Sequence, residues 1–144
     1  MTVTEVSDVR RRVRQAIERA KREAAERRAA NEAAGRDYER FLTAVAEPVF
    51  RVFAGAVRAE GYTFQIATPA DGLRLESERA RDDSIELALD TSGTPTVVGR
   101  VSRARGRRVI TAERPLREGA AVAELTEEDV LQFLLSEIGP FVER

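Results

Sequence analysis

Neither cysteine nor histidine occurs in this sequence. The first absence excludes disulfides, thiolate metal sites and cysteine nucleophiles, and the second removes the commonest general base and the commonest zinc ligand. Lysine occurs once, at Lys21, so arginine supplies 23 of the 24 basic side chains. Arginine's forked donors could exploit that bias, but GC-rich coding would produce it equally. No apolar run approaches the roughly 20 residues a membrane span needs, and the N-terminus carries no signal-peptide core, so the expected address is cytoplasmic and no membrane partner is expected. Internal repeats, a glycine-rich phosphate loop and low-complexity tracts beyond an alanine-rich arm are missing too.

The remaining acids do not assemble a catalytic constellation. Glu127, Glu128 and Asp129 suit the start of a helix, where carboxylates meet the positive end of the dipole. Asp82 and Asp83 stand beside Ser84 without a basic neighbour to make that serine a nucleophile. The expectation is a protein that is not an enzyme and takes no cofactor or metal.

What is present is an apolar fraction of 42% beside a charged fraction of 34% in 144 residues. That suffices for one core with a heavily solvated exterior. The net charge of −1 rules out a globally basic nucleic-acid binder, yet residues 100–118 hold seven basic groups against two acidic ones.

Residues 4–34 read as one long helix, rich in Ala, Glu and Arg and free of Pro and Gly until Gly35. Its length would be about 45 Å at 1.5 Å per residue, more than the width of a small domain. The pairs Asp8–Arg12, Glu18–Arg22 and Glu23–Arg27 have the favourable acid-first order. Coiled-coil spacing through Val13, Ile17, Ala20 and Ala24 marks a candidate helix-pairing seam, weakened further on by Arg27 and Asn31. Residues 1–35 are therefore expected to form an extended charged arm, and residues 36–144 a single α+β domain. Gly35 is placed just past the end of the arm helix, and Asp37 as a cap for a new start.

A second helix should follow through Phe50, Phe53 and Val57 and end at Gly61, covering a sheet. Period-2 patterning then predicts about five antiparallel strands. Tyr62, Phe64 and Ile66 alternate before a turn at Pro69–Gly72, followed by Leu73 and Leu75, then Ile85, Leu87 and Leu89, then Thr96–Arg103 and Arg107–Arg114. One face should be apolar and the other polar. Ala120–Leu125 is a candidate edge pairing. Thr126 with Asp129 resembles a capping box for a C-terminal helix packed on the sheet, which Gly139 and Pro140 should stop.

The sharpest feature is an arginine-rich hairpin, where Arg100, Arg103, Arg105, Arg107 and Arg108 fall within nine residues. An Arg105–Gly106 turn would set Arg103 opposite Arg108 and Val101 opposite Ile110. Like charges so placed need an acid nearby, from Asp82 or Asp83, from Glu124–Asp129, from a partner protein or from phosphate. Nucleic acid ranks last, because the patch offers no aromatic for base stacking. The leading expectation is a non-enzymatic adaptor or chaperone-like module whose arm makes self-association or protein-partner contacts. The alternative is a nucleic-acid accessory protein that binds phosphate through the hairpin.

Overall fold

The computed structural model describes residues 5–69 and 72–143. The chain is α+β: a long helical stretch, a five-stranded antiparallel sheet in the order β1-β2-β3-β4-β5, and a C-terminal helix. It packs as two compact units, Met1–Ala33 and Ala34–Arg144.

Within the first unit the described residues belong almost wholly to helix α1 (Val6–Phe41), and none of residues 5–33 is buried. The ion pairs of α1 are Asp8–Arg11, Asp8–Arg12 at 3.2 Å and Asp37–Arg40, whereas Glu18–Arg22 and Glu23–Arg27 do not close. Exposed pairs contribute little, so the helix rests mainly on its propensity.

The second unit opens inside the same helix, with Ala34, Tyr38 and Phe41 buried. Gly35 does not end α1, and Asp37 caps nothing; its carboxylate pairs with Arg40. A mid-helix glycine costs about 1 kcal/mol. Burying the two aromatic rings beyond it outweighs that, at roughly 1.5–3 kcal/mol per large apolar side chain. The helix then widens into a π turn, Leu42–Ala46, in which Glu47 N–H bonds back to Leu42 C=O, and continues as α2 (Glu47–Ala59). The wider turn accommodates Pro48, which has no N–H to give and whose ring crowds the preceding turn of a regular helix. Gly61, at φ 95°, closes α2 as expected: its N–H bonds Arg58 C=O, and Tyr62 N–H bonds Val57 C=O.

The strands are β1 (Phe64–Ala67), β2 (Leu73–Ser77), β3 (Ser84–Asp90), β4 (Thr96–Arg105) and β5 (Arg108–Pro115). Tyr62 falls outside β1, and Ala70 and Asp71 of the first expected turn lie outside the described residues. Leu73, Leu75, Ile85, Leu87, Val97 and Val101 form the apolar face beneath the helices. The other face carries a cross-strand series of alternating charge, Arg74, Glu86, Arg100 and Glu113. It is not uniformly polar, because Ala88 and Val98, paired across β3 and β4, are also buried.

The β4–β5 register departs from expectation by two residues. Arg105 faces Arg108, Arg103 faces Ile110, Val101 faces Ala112 and Gly99 faces Arg114. Gly106 has φ 61°, and a two-residue turn with only its first central residue left-handed demands glycine in that place. The turn is therefore Gly106–Arg107. Ile110 moves one pair outward and is 40% exposed rather than part of the core.

Ala120–Leu125 adds no strand; Val122–Glu124 forms a single 3₁₀ turn, with Val122 and Leu125 buried. The Thr126–Asp129 capping box is present: Asp129 N–H donates to Thr126 Oγ1 at 3.3 Å, and Thr126 N–H donates to Asp129 Oδ2 at 2.9 Å. Helix α3 (Glu127–Val142) runs past Gly139 and Pro140. Phe141, packed edge-on against Phe64 with ring centres 6.0 Å apart, holds that last turn in place of the hydrogen bond Pro140 cannot make.

Helix α3 seats on the sheet through Phe133. Its ring occupies the space where Gly99 has no side chain; a Cβ there would lie 2.0 Å from Phe133 Cζ. The Arg114 guanidinium covers the ring at 4.5 Å. Replacing Gly99 by Ala should therefore destabilise the fold by about 1–3 kcal/mol through overpacking, despite the better strand propensity of alanine. Denaturant unfolding checks this. Adding Phe133→Leu to Gly99→Ala should recover part of the loss, since residues in contact couple.

Candidate functional site

Three surfaces outside the core bear on function, and the first was not anticipated. Helices α2 and α3 pack side by side and bury Phe50, Phe53, Val130, Phe133 and Leu134. Between them lies an open groove lined by Val49, Val52 and Val57 from α2 and by Leu131, Leu135 and Ile138 from α3. Val52 is 75% exposed and Leu135 is 52% exposed. The charged residues on its lining are Glu60, Glu127 and Glu128, all acidic.

The sequence did carry a signal for this groove. At 100° per residue the apolar positions of α2 from Val49 to Val57 cover an arc of about 200°, as do those of α3. A core-facing helix with apolar residues at i, i+3, i+4, i+7 and i+8 shows a stripe of about 140°. The surplus edges, Val52 with Ala56 and Leu131 with Leu135, face the groove.

The arginine hairpin is not a single patch. Pairing puts Arg103, Arg105 and Arg108 on the face that also carries Val101 and Ile110, while Arg100 stands on the opposite face. Arg107 sits in the turn. Arg100 Nε donates to Glu113 Oε2 at 2.7 Å, and this hydrogen bond is the main cause of a guanidinium pKa raised above its ordinary value. Among the described residues, Arg103, Arg105, Arg107 and Arg108 form no ion pair.

Of the acids expected near the tip, Glu124 and Asp129 are engaged by Arg117, at 3.5 and 3.0 Å. Asp83 does reach the hairpin: its buried carboxylate accepts the Ala104 N–H at 2.8 Å, just before the turn. Glu143, at the end of α3, shares a shallow recess with Arg103 and Arg105. Asp90 lies at the far end of β3, where the Ser92 hydroxyl and backbone N–H hold its carboxyl below the usual carboxylate range.

The third surface is the candidate seam on α1. Val13 and Ile17 are about half exposed, at 50% and 51%, Ala20 is exposed and Ala24 half-buried. Val6 and Val9 extend the same stripe toward the N-terminus and are also exposed.

Among the described residues, no three acids converge in a group that could hold a metal ion, and no helix is long and apolar enough to cross a membrane. No protein-family model, curated protein or solved structure matches this chain.

The Asp83 contact makes a direct prediction. Asp83→Ala leaves the Ala104 N–H without that acceptor and should destabilise the protein by about 1–3 kcal/mol. Amide hydrogen exchange should then quicken at Ala104 and in the hairpin beyond it. A structural contact elsewhere would lower global stability without singling out these amides.

Proposed function

We propose that this protein is a non-enzymatic interaction module that self-associates through the α1 residues preceding Gly35. The observation carrying this reading is the stripe Val6, Val9, Val13 and Ile17, four branched apolar side chains at helical spacing and exposed among arginines. A charged helix needs no such stripe for solubility, whereas an amphipathic one gains stability when the stripe is covered. Ala20 and Ala24 continue the line with small side chains, which suits close approach of another helix.

Sedimentation of the full chain at micromolar concentration tests the proposal. The expected result is a mass above that of the 16.0 kDa monomer. Removing residues 1–33 deletes no buried residue among those described, and should return the remainder to a folded monomer. A full-length monomer, or an oligomer that survives the deletion, would overturn the reading.

A second reading, contact with nucleic-acid phosphate, draws support from Arg105, Arg107 and Arg108, which are exposed and free of ion pairs among the described residues. Such binding would be weak, salt-sensitive and indifferent to sequence. A labelled oligonucleotide should then shift at low salt with the native protein and not with Arg103→Glu, Arg105→Glu and Arg108→Glu combined. Absence of any shift with the native protein ends this reading.

A further inference from the structure

We infer that the groove between α2 and α3 receives the α1 stripe of a second copy of this chain. The inference rests on the self-association proposed above and supplies its receiving surface. Charge complementarity selects this occupant. The groove is apolar along its floor, and every charge on its lining is acidic: Glu60, Glu127 and Glu128. Residues 5–22 of the arm have the opposite character, with seven basic side chains against three acidic ones.

The shapes agree as well. Val6, Val9, Val13 and Ile17 fall within an arc of about 80°, with Arg10 and Arg14 bordering one side and Arg12 the other. From Val6 to Ile17 the helix rises about 16 Å, and the 13 residues of α2 offer a trough of about 20 Å. An amphipathic helix laid by its apolar ridge into a groove is a recurrent recognition mode, and the bordering charges set its orientation. Two chains related by a twofold axis would each place an arm in the other's groove, so one dimer covers both stripes and both grooves.

Pairing of arm with arm is the competing arrangement. It leaves both grooves open and, in a parallel register, sets the Arg10–Arg14 cluster of one copy beside that of the other. The two arrangements differ in whether groove substitutions matter.

The test uses two variants of the full chain, each altered at exposed positions. One has a blocked groove, Val52→Arg with Leu135→Arg; the other has a blocked arm, Val13→Glu with Ile17→Glu. Both should keep the native circular dichroism and thermal melt, and each alone should dimerise about tenfold or more less tightly than the native chain. Mixed one to one, they should form a heterodimer, because the first contributes an intact arm and the second an intact groove. Glu127→Arg with Glu128→Arg should weaken the native dimer, and Arg10→Glu with Arg14→Glu in the same chain should restore it in part.

A blocked-groove variant that dimerises as tightly as the native chain would overturn the groove inference while leaving self-association through the arm intact. Failure of the mixture to form heterodimer, with both variants folded, would overturn it too. If the native chain is itself monomeric, the proposed function falls first and the inference with it.

Discussion

The contact on which the second unit depends is a phenylalanine ring resting on bare backbone. With no side chain at Gly99, α3 can approach β4 closely enough for Phe133 to lie against the strand. Arg114, the cross-strand neighbour of Gly99, closes over the ring and reaches Glu137 and Ser136 on α3. Burial of the ring dominates at about 1.5–3 kcal/mol, while the cation–π contact and the ion pair add up to about 1 kcal/mol each at exposed sites. Seated in this way, α3 lies beside α2 and the groove exists. A larger residue at position 99 would lift the helix and alter the groove before it touched any groove residue.

Arginine is abundant, and half of the arginines described in the second unit are matched with an acid. Arg74 with Glu86, Arg100 with Glu113, Arg114 with Glu137 and Arg117 with Glu124 and Asp129 use the forked guanidinium to tie neighbouring strands or to tie α3 and its approach to the sheet. Individually these exposed pairs are weak, and together they fix cross-strand neighbours more than they add stability. Among the described residues, the basic charge without such pairing lies at the hairpin tip, at Arg79 and Arg81 between β2 and β3, and along α1. Net charge near zero thus conceals a separation of sign between the arm and the α2–α3 surface.

Much of the fold was legible because the local signals agreed with one another. Alternation at Leu73–Leu75 and Ile85–Leu87 and the reciprocal Thr126–Asp129 cap all point where the chain goes. The failures fall where a local preference was overruled by burial farther along. Gly35 would end an isolated helix, but Tyr38 and Phe41 bury beyond it; Pro140 would stop one, but Phe141 packs on Phe64. The hairpin register turned on which central turn position must be left-handed, and glycine occupies it only in the Gly106–Arg107 arrangement. The candidate site was less legible than the fold. Coiled-coil spacing marks Val13 and Ile17 of the α1 stripe without Val6 and Val9, and sequence alone does not say how much of the wide apolar arc on α2 a neighbouring helix consumes.

The same excess width explains why the groove should be regarded as a surface and not as imperfect packing. Arcs of about 200° on both helices exceed the roughly 140° stripe of a core-facing helix, and part of the excess on each borders the groove. Serine or lysine at Val52 and Leu135 would have kept the fold and removed the exposed apolar area, which is a liability for any protein that leaves it open. The bordering charges then limit what can cover it. Glu60, Glu127 and Glu128 would repel an acidic helix, and an uncharged one would gain nothing from them. A helix whose apolar ridge is flanked by guanidinium groups gains from both the floor and the rim, and α1 of this chain carries such a ridge from Val6 to Ile17.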